Sequence, residues 1–398
     1  MSRGASAAPE PAKSNGTPFE SVALLLQGGG ALGAYQGGVY EALTERGIVP
    51  TWLSGISIGA INSAIIAGNP PQERVARLRS FWELASAGHV GWPTWLPGFA
   101  DAGFIRGFAN QLAANAVMVG GVPGFFTPRF PPPPFQPKGT PGAISWYDTS
   151  VLKTTLERLV DFDRINSRET RFSVGAVNVR NGNFAYFDNA TDRICATHVM
   201  ASGALPPAFA PVEIDGEFYW DGGLVSNTPL DWVLSAPSDL DTLVFQVDLW
   251  SAAGDMPRDL AGVAVRTKEI QFSSRTRAAT DSFRAKQKLR AAFDALYREL
   301  PPELAATPEA VLLKAASDPA VYNIVQLIYR SPTYEGESKD YEFSRQTMED
   351  HWRTGYENAR LTLDHPEVLT RPTEPSGIAV YDFVSGIHMH PAPAKSES

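Results

Sequence analysis

Two patterns of hydrophobic and polar positions alternate along the chain from residue 21 onward. The short apolar runs VALLLQ and TWLSGIS are typical of buried β-strands. Each is followed by a segment that predicts a helix, over residues 33–46 after the first run and over INSAIIAGN after the second. A further amphipathic helix is predicted over residues 72–85, where apolar side chains recur at helical spacing. This β-α-β-α order favours a parallel sheet and therefore an α/β fold.

The regular pattern stops over residues 88–145. This segment has only four formally charged residues, many aromatic side chains and a run of four prolines. Insertions of this length are uncommon and usually functional when they are ordered. We interpret the segment as a cover over the sheet that also serves as a lid or an acyl-binding wall, since aromatic side chains offer apolar surface. The candidate pocket residues are Trp92, Trp95, Phe125 and Phe126.

Regular elements return after the insertion. A helix is predicted over residues 149–160, and Asn181-Gly182 predicts a hairpin between RFSVGAVNV and NFAYFDN. A short helix over residues 197–202, a hairpin in EIDGEFYW and the strand TLVFQVDLW follow, so we expect the sheet to be complete near Trp250. Helical patterns over residues 258–300 and 341–363 predict a mainly helical C-terminal extension, residues 257–370, before a tail, residues 371–398. Residues 1–20 have the composition of a disordered arm.

Charge and composition narrow the classes of partner. The net charge of -9 argues against a nucleic-acid binder, which needs a basic surface. Residues 258–300 are nevertheless basic, which indicates either a solvated helix face or attraction to anionic lipid headgroups. Peripheral membrane contact and oligomerisation through these helices both stay open. The single cysteine, Cys195, excludes an internal disulfide, and the lack of an apolar signal or spanning segment favours a cytoplasmic protein.

The glycines after the first strand suggest an anion site. Gly28, Gly30 and Gly33 fit the G-x-G-x-x-G spacing of a dinucleotide-binding loop. Such a loop needs an acidic residue at the end of the second strand to bind the ribose, and no Asp or Glu occurs between Arg46 and Pro71. We therefore expect no nucleotide cofactor.

The second strand ends instead in GISIG, a G-x-S-x-G motif at a strand-to-helix junction. This arrangement is a nucleophile elbow, in which Gly55 and Gly59 allow the sharp turn that exposes the Ser57 hydroxyl. Acyl transfer develops a negative oxygen that backbone N–H groups must stabilise. The neighbouring glycine turn, at Gly29 and Gly30, is suited to supply them. We interpret it as an oxyanion hole.

A serine nucleophile needs a base. None of the six histidines lies in an obvious strand-end loop with an acid before it, as a Ser-His-Asp triad requires. Asp221, which ends a predicted hairpin strand in WDGG, is the alternative base. A triad that uses one of the histidines stays open on these grounds alone.

These motifs together resemble the patatin-like phospholipase family. The resemblance rests on QGGGALG, GISIG, ASGALPPAFAPV and DGGLVSNTPL, which occur in this order, and it covers residues 21–250. It implies a three-layer α/β/α sheet and a catalytic domain over residues 21–256. It also implies a Ser-Asp dyad, with Ser57 as nucleophile, Asp221 as base and Gly28, Gly29 and Gly30 as the oxyanion loop. The C-terminal extension resembles that of a bacterial subset of the family.

One position departs from the family pattern. The family often has a basic residue in the glycine loop where this chain has Leu32, which is a further candidate pocket residue, and leucine cannot pair with a phosphate. A neutral acylglycerol, a short ester and a hydroxyacid oligoester therefore stay open as substrates beside a phospholipid. We predict a serine hydrolase of lipid acyl or other carboxylic esters that forms an acyl-enzyme and uses neither metal nor cofactor. The alternatives are a triad esterase and a non-catalytic lipid-binding or scaffold protein.

Overall fold

A nine-stranded, mostly parallel sheet forms the centre of the protein. The computed structural model describes residues 17–88, 103–236, 240–273, 276–332, 335–336, 338–374 and 376–384. In chain order the strands are β1 (Ser21–Leu26), β2 (Trp52–Gly55), β3 (Thr127–Pro128), β4 (Tyr147–Asp148), β5 (Arg171–Asn178), β6 (Phe184–Asp188), β7 (Val212–Ile214), β8 (Glu217–Asp221), β9 (Thr242–Asp248), β10 (Tyr322–Ile328) and β11 (Ile378–Tyr381).

The helices flank this sheet and connect its parallel strands. They are α1 (Ala34–Glu45), α2 (Ile58–Ala67), α3 (Arg74–Ala85), α4 (Gly103–Gly120), α5 (Ser150–Leu159), α6 (Phe162–Asn166), α7 (Ala196–Ser202), α8 (Leu230–Ser235), α9 (Leu260–Phe272), α10 (Thr276–Glu299), α11 (Pro302–Ala305), α12 (Pro308–Ala316) and α13 (Arg345–Leu363). None of the described helices has the length and the apolar composition needed to cross a bilayer.

The strand order is β11-β10-β9-β1-β2-β5-β8-β7, with β6 also paired to β5, while β3 and β4 form a separate two-stranded sheet. The expectation that the sheet is complete near Trp250 is wrong. Strand β10 pairs in parallel with β9 from Tyr322 to Ile328, and β11 pairs with β10. The sequence of β10, YNIVQLI, lies between two helical patterns and does not by itself distinguish a strand from a helix. Strand β11 lies in the segment that the sequence assigns to the tail.

Alternate side chains of the central strand β1 enter two different cores, as the two-residue period of a strand requires. Val22, Leu24 and Leu26 join the larger core, which includes residues of α1, α2, α3 and α13. Ala23 and Leu25 join the smaller core, which includes residues of α8 and α10. Both faces of the sheet are therefore covered, which confirms the three-layer α/β/α architecture.

The insertion after α3 is more regular than the sequence indicates. Residues 103–120 form the 18-residue helix α4, whereas no regular pattern was expected there. This helix has a single charged residue, Arg106, so it lacks the polar face that makes an amphipathic helix visible in a sequence. The small antiparallel sheet of β3 and β4 completes the described part of the insertion. Trp92 and Trp95 lie outside the described residues.

Helix α13 packs the C-terminal segment, from residue 257 onward, against the face of the sheet that α1 covers. It packs along α1, where the buried Trp352 contacts Gly37 and Gly38. The Trp352 indole N–H donates a hydrogen bond to Glu41, and the Arg79 guanidinium lies 3.9 Å above the Trp352 ring centre. The C-terminal segment is thus continuous with the catalytic sheet in both its strands and its core.

Candidate active site

Ser57 lies at a sharp turn between β2 and α2. Its backbone φ of 55° is positive, which is an uncommon conformation for a residue with a side chain. The Ser57 N–H donates to the Ser202 carbonyl and to the Ser202 hydroxyl, both at 3.1 Å, and this holds the turn. A Cβ atom at Gly59 would lie 2.1 Å from the Leu26 carbonyl oxygen, so only glycine fits there. A Cβ atom at Gly55 would meet the Gly59 backbone in the same way.

Asp221 ends strand β8 beside β5 and is buried. The Gly223 N–H donates to its carboxylate at 2.7 Å, and the Ser57 hydroxyl lies beside the same carboxylate. Burial raises the pKa of Asp221 to about 7, although the Ser57 hydroxyl and the Gly223 N–H act in the opposite direction. The two residues that the sequence selects as nucleophile and base are therefore brought together.

The glycine turn after β1 is held by its carbonyl groups. The Gly28 carbonyl accepts hydrogen bonds from the Asn227 amide at 2.9 Å and from the Trp250 indole N–H at 3.0 Å. The Gly29 carbonyl accepts from the Leu32 N–H at 3.2 Å. Because a trans peptide places N–H opposite C=O, these contacts turn the Gly29 and Gly30 N–H groups away from the anchors.

The three glycines of this turn are not equivalent. The Gly28 N–H is already occupied, since it donates to the Asn227 carbonyl at 3.3 Å. Within the described part of the chain, the N–H groups of Gly29 and Gly30 have no hydrogen-bond partner. The Gly28 N–H is therefore not available as an oxyanion donor, and Gly28 instead provides the carbonyl by which the turn is anchored.

A cavity of about 360 Å³ opens over these groups. Ser57, Asp221 and Gly28 to Gly30 line it, and so do Phe125 and Phe126, as expected. Most of the other wall residues are apolar as well, including Val117, Met118, Phe209, Trp250, Phe272 and Phe343. Leu32 is wholly buried in the core and does not line the cavity, so its interpretation as a pocket residue is wrong. Its place in the 3₁₀ turn before α1 points its side chain into the core.

The charged residues of the cavity wall are both acidic. Among the described lining residues only Asp221 and Asp340 are charged, and neither Lys nor Arg is present. The nearest cation with a defined contact is Lys268, whose ammonium lies 2.6 Å from the Asp340 carboxylate. Asp340, Tyr341 and Phe343 belong to the C-terminal segment, which therefore contributes one wall of the cavity.

The histidines that the structure describes lie away from this wall. His198 accepts the Cys195 N–H at 3.0 Å, His351 pairs with Glu335, and His365 stacks on Phe383. None of the three lines the cavity. His89, His388 and His390 lie outside the described residues. Within the described ranges, no group of three or more His, Cys, Asp or Glu side chains is arranged to hold a metal ion.

Comparison with protein families agrees with this architecture. Residues 24–234, more than half of the chain, match a family model described as patatin-like phospholipase. The chain belongs to the patatin-like phospholipases. Residues 270–375 match a second model, described as patatin phospholipase, so the C-terminal segment is shared with other proteins of this kind. A patatin-like phospholipase is a lipid acyl hydrolase, and this protein is therefore an enzyme rather than a scaffold.

Solved structures resemble the chain at low sequence identity. VipD from Legionella pneumophila is 17% identical with a TM-score of 0.38, over 92% of this chain and 72% of VipD. ExoU from the type III secretion system of Pseudomonas aeruginosa, solved in complex with SpcU, is 14% identical with a TM-score of 0.27, over 74% of this chain and 60% of ExoU. Among curated proteins, none matches the chain.

Several residues of this patatin-like site were not selected from the sequence. Asn227 lies in DGGLVSNTPL, six residues after Asp221, so its motif was recognised but its contact with Gly28 was not. Trp250 ends a strand pattern and carries no motif. Asp340 is more than 300 residues from the turn that it contacts, and no local pattern could have indicated it.

Proposed function

We propose that this enzyme hydrolyses lipid acyl esters through a dyad of Ser57 and Asp221. The observation that carries the proposal is that the Ser57 hydroxyl and the buried Asp221 carboxylate lie side by side in the cavity wall. Next to them are the Gly29 and Gly30 N–H groups, which have no hydrogen-bond partner among the described residues. A base with a pKa of about 7 is deprotonated to a useful extent at neutral pH and still accepts a proton readily. The strained backbone of Ser57 presents its hydroxyl to the cavity.

The reaction then proceeds in two halves. Asp221 accepts the proton of the Ser57 hydroxyl while the oxygen attacks the ester carbonyl carbon, and the carbonyl oxygen becomes an anion. The Gly29 and Gly30 N–H groups stabilise that anion. The intermediate collapses as Asp221 returns the proton to the leaving alkoxide, which departs as an alcohol and leaves acyl-Ser57. A water molecule repeats the sequence and releases the fatty acid.

The cavity wall indicates the substrate class. Its apolar side chains suit an acyl chain, and its charged residues are both carboxylates. An anionic headgroup close to the ester would therefore lie beside carboxyl groups and would meet no Lys or Arg among the described residues of the wall. We infer that neutral acyl esters are better substrates than anionic phospholipids for this member of the family.

Covalent labelling tests the nucleophile directly. A fluorophosphonate probe is expected to label the tryptic peptide that contains Ser57, and Ser57→Ala should abolish labelling and lower kcat for a soluble ester by at least about 10⁴-fold. Ser80→Ala, at an exposed serine of α3, is the matched control and should behave as wild type. Labelling of another serine, or normal turnover by folded Ser57→Ala protein, contradicts the proposal.

A further inference from the structure

The C-terminal segment contacts the glycine turn at Ala31. The Ala31 N–H donates to the Asp340 carbonyl at 2.8 Å. Gly30 has a φ of 55°, and a Cβ atom there would lie 2.0 Å from the same carbonyl oxygen. The two backbones are thus packed as closely as a glycine allows. Ala31 directly follows Gly29 and Gly30, the proposed oxyanion donors. Contacts that fix the position of Ala31 therefore also fix the positions of these two N–H groups.

His351 of α13 lies on the other side of Ala31. Its Nδ1 is 3.4 Å from the Ala31 carbonyl oxygen, and its Nε2 is 3.0 Å from a Glu335 carboxylate oxygen. The Ala31 carbonyl is an acceptor only, and so is the ionised Glu335 carboxylate, the state favoured by the Tyr329 hydroxyl that donates to both of its oxygens. A neutral imidazole has one donor nitrogen and one acceptor nitrogen. Only the doubly protonated imidazolium can donate at both positions. The contacts therefore indicate a buried, charged His351.

The surroundings of His351 stabilise that charge. Both oxygens of Glu335 accept from the Tyr329 hydroxyl at 2.8 Å, and the Tyr329 ring stands edge-on to the imidazole with its centre 5.1 Å away. Burial opposes the charge on His351, but Glu335, through its charge and its hydrogen bond, raises the pKa of the imidazole, with smaller contributions from Glu342 and the Ala31 carbonyl.

Glu335 is affected in the reciprocal direction. Burial opposes its charge, but His351, the Tyr329 hydroxyl and the nearby Lys339 ammonium lower the pKa of its carboxyl group. The side chains of His351 and Glu335 are 1% and 3% exposed. Each charge is thus compensated mainly by the other, and loss of either leaves a buried charge without its partner.

We propose that the His351 imidazolium is a positioning residue of the oxyanion hole, which holds the turn through the Ala31 carbonyl so that ester hydrolysis requires His351 to be protonated. The proposal rests on the function proposed above. Oxyanion donors act only when they lie within about 0.5 Å of the productive geometry. When His351 loses a proton, one of its nitrogens becomes an acceptor that faces another acceptor, either the Ala31 carbonyl or the Glu335 carboxylate. The turn then loses an attractive contact on that side.

A bell-shaped pH profile follows. Activity rises as Asp221 becomes deprotonated near pH 7. It falls again at higher pH, where His351, with its raised pKa, loses its proton. The rising limb belongs to the base and the falling limb to the residue that positions the turn.

The test is kcat/KM for a soluble short-chain ester between about pH 5.5 and pH 9.5. His351→Gln is expected to lower kcat roughly tenfold at the wild-type optimum, with little change in KM, and to remove the falling limb. Glu335→Gln is expected to move the falling limb to lower pH, because His351 loses the charge that raises its pKa. His365→Gln is the matched control, since His365 also pairs with a glutamate, Glu367, at 3.3 Å but lies away from the turn.

A falling limb at the wild-type position in both variants would overturn the proposal, as would a loss of activity that is equal at all pH values and parallels a loss of thermal stability. If His351→Gln does not fold, the limb shift in Glu335→Gln decides alone. Failure here is separable from failure of the dyad, because fluorophosphonate labelling of Ser57 does not depend on the origin of the falling limb.

Discussion

The glycine turn after β1, the nucleophile elbow at Ser57 and the C-terminal segment all line the same cavity. The two turns can be recognised from short sequence motifs, whereas the role of the C-terminal segment cannot. Each turn lies within a stretch of about six residues, directly after a strand, and its motif is visible in the sequence. The segment from β10 to α13 has no motif of catalytic residues, yet it adds a strand beside β9, a wall to the cavity and the contacts on Ala31. The reacting groups are specified locally, whereas their positions depend on distant contacts.

The two regions also differ in what they do to stability. The turns hold unfavourable features, namely the positive φ of Ser57 and the buried carboxyl group of Asp221. The C-terminal segment buries large side chains such as Trp352 and Tyr329 in the same core as β1, α1 and α2, and this burial stabilises the fold. The packing of the remote region therefore offsets the strain of the site, and changes in the two regions should have opposite effects on stability.

Asp221→Asn provides the largest contrast between activity and stability. Asparagine keeps the shape but cannot accept the Ser57 proton, so kcat should fall by about 10³-fold or more. The pKa of Asp221 is raised from 3.8 to about 7 in the folded protein, so wild-type stability decreases as pH rises through that window. The variant lacks this pH-dependent loss of stability and should therefore be more stable than the wild type above pH 7, by on the order of 4 kcal/mol.

The measurement is kcat together with urea unfolding at about pH 5 and pH 8. His198→Ala is the matched control for activity, because His198 is a buried titratable residue that does not line the cavity. Substantial activity in Asp221→Asn, or an equal loss in His198→Ala without unfolding, would replace the dyad with another base. An unchanged or lower stability at pH 8 would show that Asp221 is not a strained group.

Trp352→Ala tests the stabilising region. The side chain is 1% exposed and packs on α1, so its removal should cost about 3–5 kcal/mol of unfolding free energy. Trp146→Ala is the control, because Trp146 is 50% exposed and should cost less than about 1 kcal/mol. Urea unfolding of both variants provides the comparison. If Trp352→Ala unfolds in a separate early transition, the C-terminal segment is an independent unit and does not stabilise the active site.

The same division explains what could be predicted from sequence. Ser57 and Asp221 can be selected from the sequence because each lies beside glycines at the end of a strand, where the backbone can turn sharply, and the structure places the two side chains next to each other. The confirmed three-layer fold follows from continuous apolar strands, which must be covered on both faces. Strand β10 was missed because a short apolar run is compatible with a helix or a strand. Leu32 was assigned to the pocket because a motif position does not reveal the direction of a side chain.

Trp250→Phe tests whether the hydrogen bond from the Trp250 indole to the Gly28 carbonyl positions the glycine turn after β1. Phenylalanine retains the aromatic wall but loses the indole N–H that holds the Gly28 carbonyl at 3.0 Å. The Asn227 amide still holds that carbonyl, so we expect a loss in kcat of roughly tenfold.

Trp232→Phe is the matched control for this change. Its indole nitrogen is buried and has no hydrogen-bond partner among the described residues, so the same substitution there removes no such bond. Steady-state kinetics with a soluble ester should show a loss in Trp250→Phe alone. Equal effects of the two substitutions would mean that packing, and not the orientation of the Gly28 carbonyl, explains the result.

Headgroup preference should give an effect no larger than that of Trp250→Phe, because it depends on charge near a solvated opening. The wall has carboxylates and no cation among its described residues, so a neutral diacyl ester should exceed an acyl-matched anionic phospholipid in kcat/KM by roughly tenfold.

Leu32→Arg is unsuitable as a test of this preference, because it would place a charge in the core. Met118 lines the cavity and is 52% exposed, so Met118→Lys should narrow the gap several-fold while Met118→Gln should not. The assay uses both substrates in the same mixed micelles. If the wild-type enzyme prefers the phospholipid, then Lys268, which pairs with Asp340 behind the wall, is the nearest source of compensating charge. Lys268→Met should then remove that preference, and the C-terminal segment would select the substrate as well as complete the cavity.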